Sequence, residues 1–125
     1  MSVKVPQGYQ TVMPYLIIKN AAAFIAFTQK VFNAELLNKH MREETIVMHA
    51  EIKINDSIIM LADSTNDYAP TPGSFFMYVE DIYKTYQQAL DNGATVLTSI
   101  TDQSYGRSGG VKDAFGNTWW LTIAI

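Results

Sequence analysis

Short apolar runs alternate with polar ones along this chain, and twice the spacing changes to that of an amphipathic helix. Val12–Lys19 is apolar and rich in β-formers. Asn20 stands where a helix would be capped, and that helix is predicted to end near Asn33, with Phe24, Phe27 and Val31 on one face. Glu35–Met41 reads as a strand, and Met48–Ile54 with Ser57–Ala62 reads as a hairpin turning at Asn55-Asp56. Asp63–Gly73, dense in Pro, Thr, Asn and Asp, reads as a linker.

The same order then begins again. Phe75–Val79 is a predicted strand, Asp81 caps a second helix with Ile82, Tyr86, Ala89 and Leu90 on its buried face, and Gly93 stops it. Thr95–Ile100, Gly109–Lys112 and Thr118–Ala124 supply three more strands. Each half is β-α-β-β-β, with helices expected over 20–32 and 81–92. Asn33-Ala34-Glu35-Leu36-Leu37 echoes Gly93-Ala94-Thr95-Val96-Leu97 at an offset of sixty, which points to an internal duplication. The expected organisation is one α+β domain over 1–125, built of modules at about 10–62 and 74–125 joined by the linker 63–73.

Composition narrows the function. The chain has 125 residues, 48% of them hydrophobic and only 17% charged, enough for a core without staples and with apolar surface left for a partner chain. A homodimer is expected. Nine scattered Lys and Arg against a net charge of −3 leave no basic stripe for nucleic acid. No apolar run approaches the ~20 residues of a membrane span, and Met1–Pro6 lacks the apolar stretch of a signal peptide, so the expected location is the cytoplasm. With no cysteine there is no disulfide, thiolate metal site or cysteine nucleophile. No phosphate loop, dinucleotide fingerprint or nucleophile elbow occurs.

Three motifs carry a resemblance. They are Val12-Met13-Pro14-Tyr15-Leu16-Ile17-Ile18; Met48-His49-Ala50-Glu51-Ile52 followed by Asp56–Asp63; and Tyr105-Gly106-Arg107-Ser108-Gly109-Gly110-Val111-Lys112-Asp113-Ala114-Phe115-Gly116-Asn117-Thr118-Trp119. Together they resemble the vicinal oxygen chelate superfamily of glyoxalases, bleomycin-resistance proteins and extradiol dioxygenases, and within it the PhnB-like branch. The resemblance implies two βαβββ modules whose curved mixed sheets form a cup with the helices outside. This chain lacks the Asp usual between Gly106 and Arg107 and has Ala114 where Pro is usual, so the stretch presenting Arg107 is shortened.

Metal-dependent members of that superfamily take four ligands from the first and last strand of each half. The resemblance places those positions at Pro14, Met60, Ser74 and Trp120, none of which is a His, Gln or Glu. The expectation is therefore no metal and no cofactor.

Strand alternation sorts the other candidates. A two-residue turn at Asn55-Asp56 sets Glu51 opposite Met60, so Ala50, Ile52, Ile54, Ile59 and Leu61 share an apolar face. His49, Glu51, Lys53, Ile58 and Met60 share the other, which the former ligand position Met60 assigns to the cup. His49 and Glu51 could grip a polar ligand or shuttle a proton, or could be a hydrated rim. In the second half Phe76, Tyr78 and Trp120 would form an aromatic wall, or simply fill core. Trp119 should face the helix. Arg107 beside Gly109-Gly110 could bind an anion, although a β-bulge also explains such glycines.

The candidate ligand-binding residues are thus His49, Glu51, Met60, Phe76, Tyr78, Arg107 and Trp120, with His49, Glu51, Tyr78 and Trp120 expected to line one pocket. Three functions fit them: a metal-free binder of a small organic ligand, a metal-independent isomerase or lyase using His49 and Glu51 as an acid–base pair, and an interaction module with no small-molecule site.

Overall fold

The computed structural model describes residues 2–125. Its elements run β1 (Tyr15–Ile18), α1 (Ala21–Phe32), β2 (Glu35–Glu43), β3 (Ile46–Ile54), β4 (Ser57–Asp63), β5 (Ser74–Tyr78), α2 (Ile82–Asp91), β6 (Thr95–Gln103), β7 (Gly106–Lys112) and β8 (Thr118–Ile123). This is β-α-β-β-β twice, as the periodicity predicts. The two sheets share one strand order, β1-β4-β3-β2 and β5-β8-β7-β6. In each the first strand of the module runs parallel to the last, and the remaining pairs are antiparallel. The chain divides into two compact units. The first runs to Thr71 without Lys30–Phe32, and the second comprises Lys30–Phe32 and Pro72–Ile125.

Local chemistry fixes the element ends. Asn20 takes a left-handed backbone and its side chain accepts the Ala23 N–H; Asn33, also left-handed, ends α1. Asp81 accepts the Lys84 N–H at the start of α2, and Gly93 (φ 100°) follows its end. Asn55 (φ 55°) supplies the tight turn that pairs Ile54 with Ser57 and Glu51 with Met60, the register deduced from the sequence.

Several strand boundaries differ from the sequence expectation. The edge strands β2 and β6 continue to Glu43 and Gln103, because backbone pairing persists through exposed polar residues that carry no hydrophobic alternation. β7 begins at Gly106 rather than Gly109, since a turn at Ser104-Tyr105 pairs Gln103 with Gly106. Asp63 is the last residue of β4. Its buried carboxylate accepts the Ala21 N–H at 2.8 Å and the Val47 N–H at 2.7 Å, tying the start of α1 to the start of β3.

The apolar face of the first sheet is buried, with Leu16, Ile18, Ala50, Ile52 and Leu61 at 3% exposure or less. In the second unit α2 packs on β6, β7 and β8 through Ile82, Tyr86 and Ala89. Trp119 lies in this core between Phe32 and Phe75, ring centroids 4.6 and 4.5 Å away, as strand parity predicts. Among the described residues no helix is long and apolar enough to cross a membrane.

Asp113 anchors the turn between β7 and β8. Its Oδ1 accepts the Phe115 and Asn117 N–H groups, and its Oδ2 accepts Asn117 Nδ2 and Trp119 Nε1, all at 2.9–3.0 Å. Asn117 Oδ1 in turn accepts the Gly73 N–H at 2.8 Å. The most recognisable stretch of the sequence is therefore a structural latch. Replacing Asp113 with Ala strands four buried or half-buried donors, and should cost about 2–4 kcal/mol. Urea denaturation should show this as a lower midpoint with an unchanged slope.

Candidate functional site

The first unit gathers its polar side chains on one sheet face. Tyr15, Met60, Glu51 and Asn38 form a row across β1, β4, β3 and β2, and His49 opposite His40 forms a neighbouring row. His49 Nε2 bonds Glu51 Oε2 at 2.7 Å, and Tyr15 Oη bonds His49 Nδ1 at 2.9 Å. Glu51 Oε1 accepts Asn38 Nδ2 at 2.8 Å and also the Tyr9 hydroxyl. Tyr9 is brought there by a segment preceding β1. Gln10 holds that segment by bonding both backbone groups of Ile58, where β1 no longer covers β4.

The His49–Glu51 hydrogen bond exists, with the carboxylate buried and the imidazole a quarter exposed. Glu51 is 7% exposed. Burial alone would raise its carboxyl, but hydrogen bonds from His49, Tyr9 and Asn38, with the His49 charge, outweigh it and hold the group below the ordinary 4.5. The hydrogen bond to that carboxylate, more than burial, lifts the Tyr9 phenol above 10.0. A general acid or base works best with a pKa near the operating pH, and Glu51 is shifted away from neutrality with both oxygens engaged. His40 is exposed on edge strand β2, 6.4 Å ring to ring from His49.

The second unit presents a different face. Phe76 pairs with Trp120 across β5 and β8, and meets Tyr78 edge-on at 5.5 Å and Tyr105 at 5.8 Å. Phe76 and Tyr78 are 52% and 64% exposed, so this wall is not core filling. Beside it lies a groove of about 290 Å³ lined by Thr98, Ser99, Thr101, Gln103, Tyr105, Ser108 and Trp120. Of the residues proposed from sequence, Trp120 lines the groove, Phe76 and Tyr78 continue its wall, and His49, Glu51 and Met60 lie on the first unit.

Arg107 departs from its expected place. Strand parity puts it on the face of β7 opposite Ser108 and Gly110, with Asp102 as its cross-strand partner. Its Nε donates to Asp102 Oδ1 at 2.6 Å, so the guanidinium is paired with a carboxylate on that face. The glycines beside it have a steric role. A Cβ on Gly110 would lie 2.7 Å from the Trp120 ring, and one on Gly109 would lie 2.8 Å from Ile100. The bulge is in β6, where the register shifts on both sides of Thr98, and the Thr98 hydroxyl accepts the Gly110 N–H at 2.8 Å.

The four positions that would hold a metal in the chelating relatives do not suit one. The Pro14 carbonyl accepts the Met60 N–H, and Met60 offers only a thioether. Ser74 Oγ accepts Trp120 Nε1 at 3.3 Å, and an indole has no lone pair for a cation. Among the described residues no three His, Asp or Glu converge.

Sequence missed Tyr9, Asn38 and Tyr15 on the first unit, and the hydroxyl-rich lining with Tyr105 on the second. Only Tyr15 left a usable signal, because parallel pairing of β1 with β4 sets it beside Met60.

The two-module topology is a fold shared with known proteins. The sequence profile of the Glyoxalase/Bleomycin resistance protein/Dioxygenase superfamily matches residues 9–121. The chain belongs to that superfamily. An uncharacterised protein of Mycobacterium tuberculosis is 33% identical over 120 residues, covering 86% of this chain and 71% of its own length. The PhnB protein of Bacillus cereus has the same fold, with a TM-score of 0.77 at 20% identity over 92% of this chain and 100% of that one. TnmS3, an antibiotic binding protein from Streptomyces sp. CB03234, superposes with a TM-score of 0.73 at 14% identity over 100% and 99% of the two chains.

Glu51→Gln tests the buried carboxylate. The amide keeps its shape but turns one acceptor into a donor facing existing donors, a loss of about 1–3 kcal/mol at pH 7. Because the folded carboxyl sits below 4.5, its contribution is complete above that value and is lost as pH falls through the lower folded one. Thermal melts from pH 7 to pH 3 should therefore fall less steeply for the variant than for the wild type.

Proposed function

We propose that this protein binds a small organic ligand without a metal, in the aromatic groove of its second unit, and performs no chemistry on it. The observation that carries this reading is the exposed aromatic wall of Phe76, Tyr78 and Tyr105 beside Trp120. Large aromatic rings held open at a sheet face stabilise a bound molecule by removing its apolar surface from water. An antibiotic binding protein with the same fold supports a sequestering role.

The acid–base alternative draws less support from its own residues. Glu51 accepts three hydrogen bonds, and both nitrogens of His49 are engaged. His49, Glu51 and Met60 belong in this reading to a fixed polar surface of the first unit. Opening it for proton transfer would break the hydrogen bonds that keep Glu51 charged.

The working form is proposed to be a homodimer. Edge strand β6 supports this, since its exposed Val96 and Leu97 carry no guarding charge, whereas the β2 edge bears Glu35, Lys39, Arg42 and Glu43. Light scattering at micromolar concentration should report twice the 14.0 kDa chain mass.

A thermal-shift screen against a metabolite library tests the binding reading. Compounds that raise the melting temperature should be recovered unchanged after incubation. Trp120→Ala should fold, by circular dichroism, and weaken those compounds by about 1–3 kcal/mol, the scale of an aromatic anchor. Turnover of a hit, or undiminished binding by the variant, would count against the proposal.

A further inference from the structure

We infer that the groove of the second unit selects an uncharged, flat aromatic ligand with oxygen acceptors at its rim. The inference rests on the binding function proposed above and adds the chemical class of the ligand. Of the seven lining residues, none carries a charge at neutral pH. The nearest charged pair, Asp102 and Arg107, lies on the opposite face of the sheet, where the two are ion-paired. Lys112 shares the groove face, but pairs with Thr118 one step beyond Trp120 along the ladder and lies outside the lining. An ion entering this groove would give up hydration with no countercharge to replace it.

The shape of the ligand follows from how Trp120 is seated. Gly110 has no Cβ, so the Trp120 ring lies directly against the β7 backbone. Its Nε1 is tethered to Ser74 Oγ at 3.3 Å. The indole is thus backed by main chain and held at one edge. A ring so placed offers a face for stacking, which favours a planar partner.

The rim chemistry comes from hydroxyls. Thr98 Oγ1 spends a lone pair on the Gly110 N–H and keeps its own proton to donate. Ser99 and Thr101 stand along the same lining. These groups donate to carbonyl, ether or hydroxyl oxygens.

Isothermal titration calorimetry with four probes tests the inference: flavone, flavone bearing a sulfonate on its fused ring, flavone bearing a trimethylammonium there, and the oxygen-free 2-phenylnaphthalene. Flavone should bind best, with each charged derivative at least ten-fold weaker and the hydrocarbon at least three-fold weaker. Trp120→Ala should weaken flavone at least five-fold, which locates binding in the groove. A charged derivative or the hydrocarbon that matched flavone would overturn the ligand class while leaving the binding function standing. Flavone binding untouched by Trp120→Ala would overturn the placement. Failure of all four probes to bind would overturn the ligand class, while the library screen decides the binding function separately.

Discussion

Trp119 and Trp120 are adjacent in sequence and serve opposite faces of one sheet, and the register of β8 keeps them from exchanging. A slip of one residue would move every side chain of the strand to the other face. Two contacts resist it. Asp113 accepts Trp119 Nε1 and fixes the indole that belongs in the core. Gly110, directly opposite Trp120, leaves the second indole room to lie against β7, where any Cβ would meet the ring. The latch and the glycine thus act on neighbouring residues from opposite faces, and the groove depends on both.

The two units share a topology and have filled it differently. On the first, the face carrying His49 and Glu51 is closed by hydrogen bonds. A buried carboxylate there would be costly without partners, and Tyr9, Asn38 and His49 supply them. On the second, the equivalent face carries aromatic rings and hydroxyls whose polar demands are met by single bonds, such as Ser108 with Thr122. The first arrangement resists disturbance by a ligand, because displacing any partner exposes the charge. The second leaves ring faces unsatisfied by protein and open to a ligand.

The fold was legible because its signals are local: capping residues, turn pairs and alternation within single strands. Strand parity also placed Trp119 in the core and Glu51 against Met60. The site was only partly legible, for two physical reasons. Tyr9 reaches Glu51 across forty-two residues from a segment with no periodic pattern, and Asn38 meets it across register shifts in β2 that defeat simple counting. Arg107 is a different case. Counting alternate residues back from Gly110 puts Arg107 on the other face of β7, so its nearness in sequence to the two glycines does not make it their neighbour on the groove face. Exposure of Phe76 and Tyr78 could not be read from their identity, since the same residues would serve equally well as core.

The neutrality of the groove extends from its lining to Ser74, the hydrogen-bond partner of Trp120. A divalent ion is held by donors that carry or focus negative charge, and such donors need the ion in order to sit in a desolvated site. Ser74 and Trp120 satisfy each other instead, hydroxyl oxygen to indole N–H, with no charge to compensate. That pairing leaves an uncharged aromatic ring surface on this face of the second sheet. From Trp120 the aromatic surface continues outward: Phe76 pairs with it across β5 and β8 and meets both Tyr78 and Tyr105, so four rings adjoin on one sheet face.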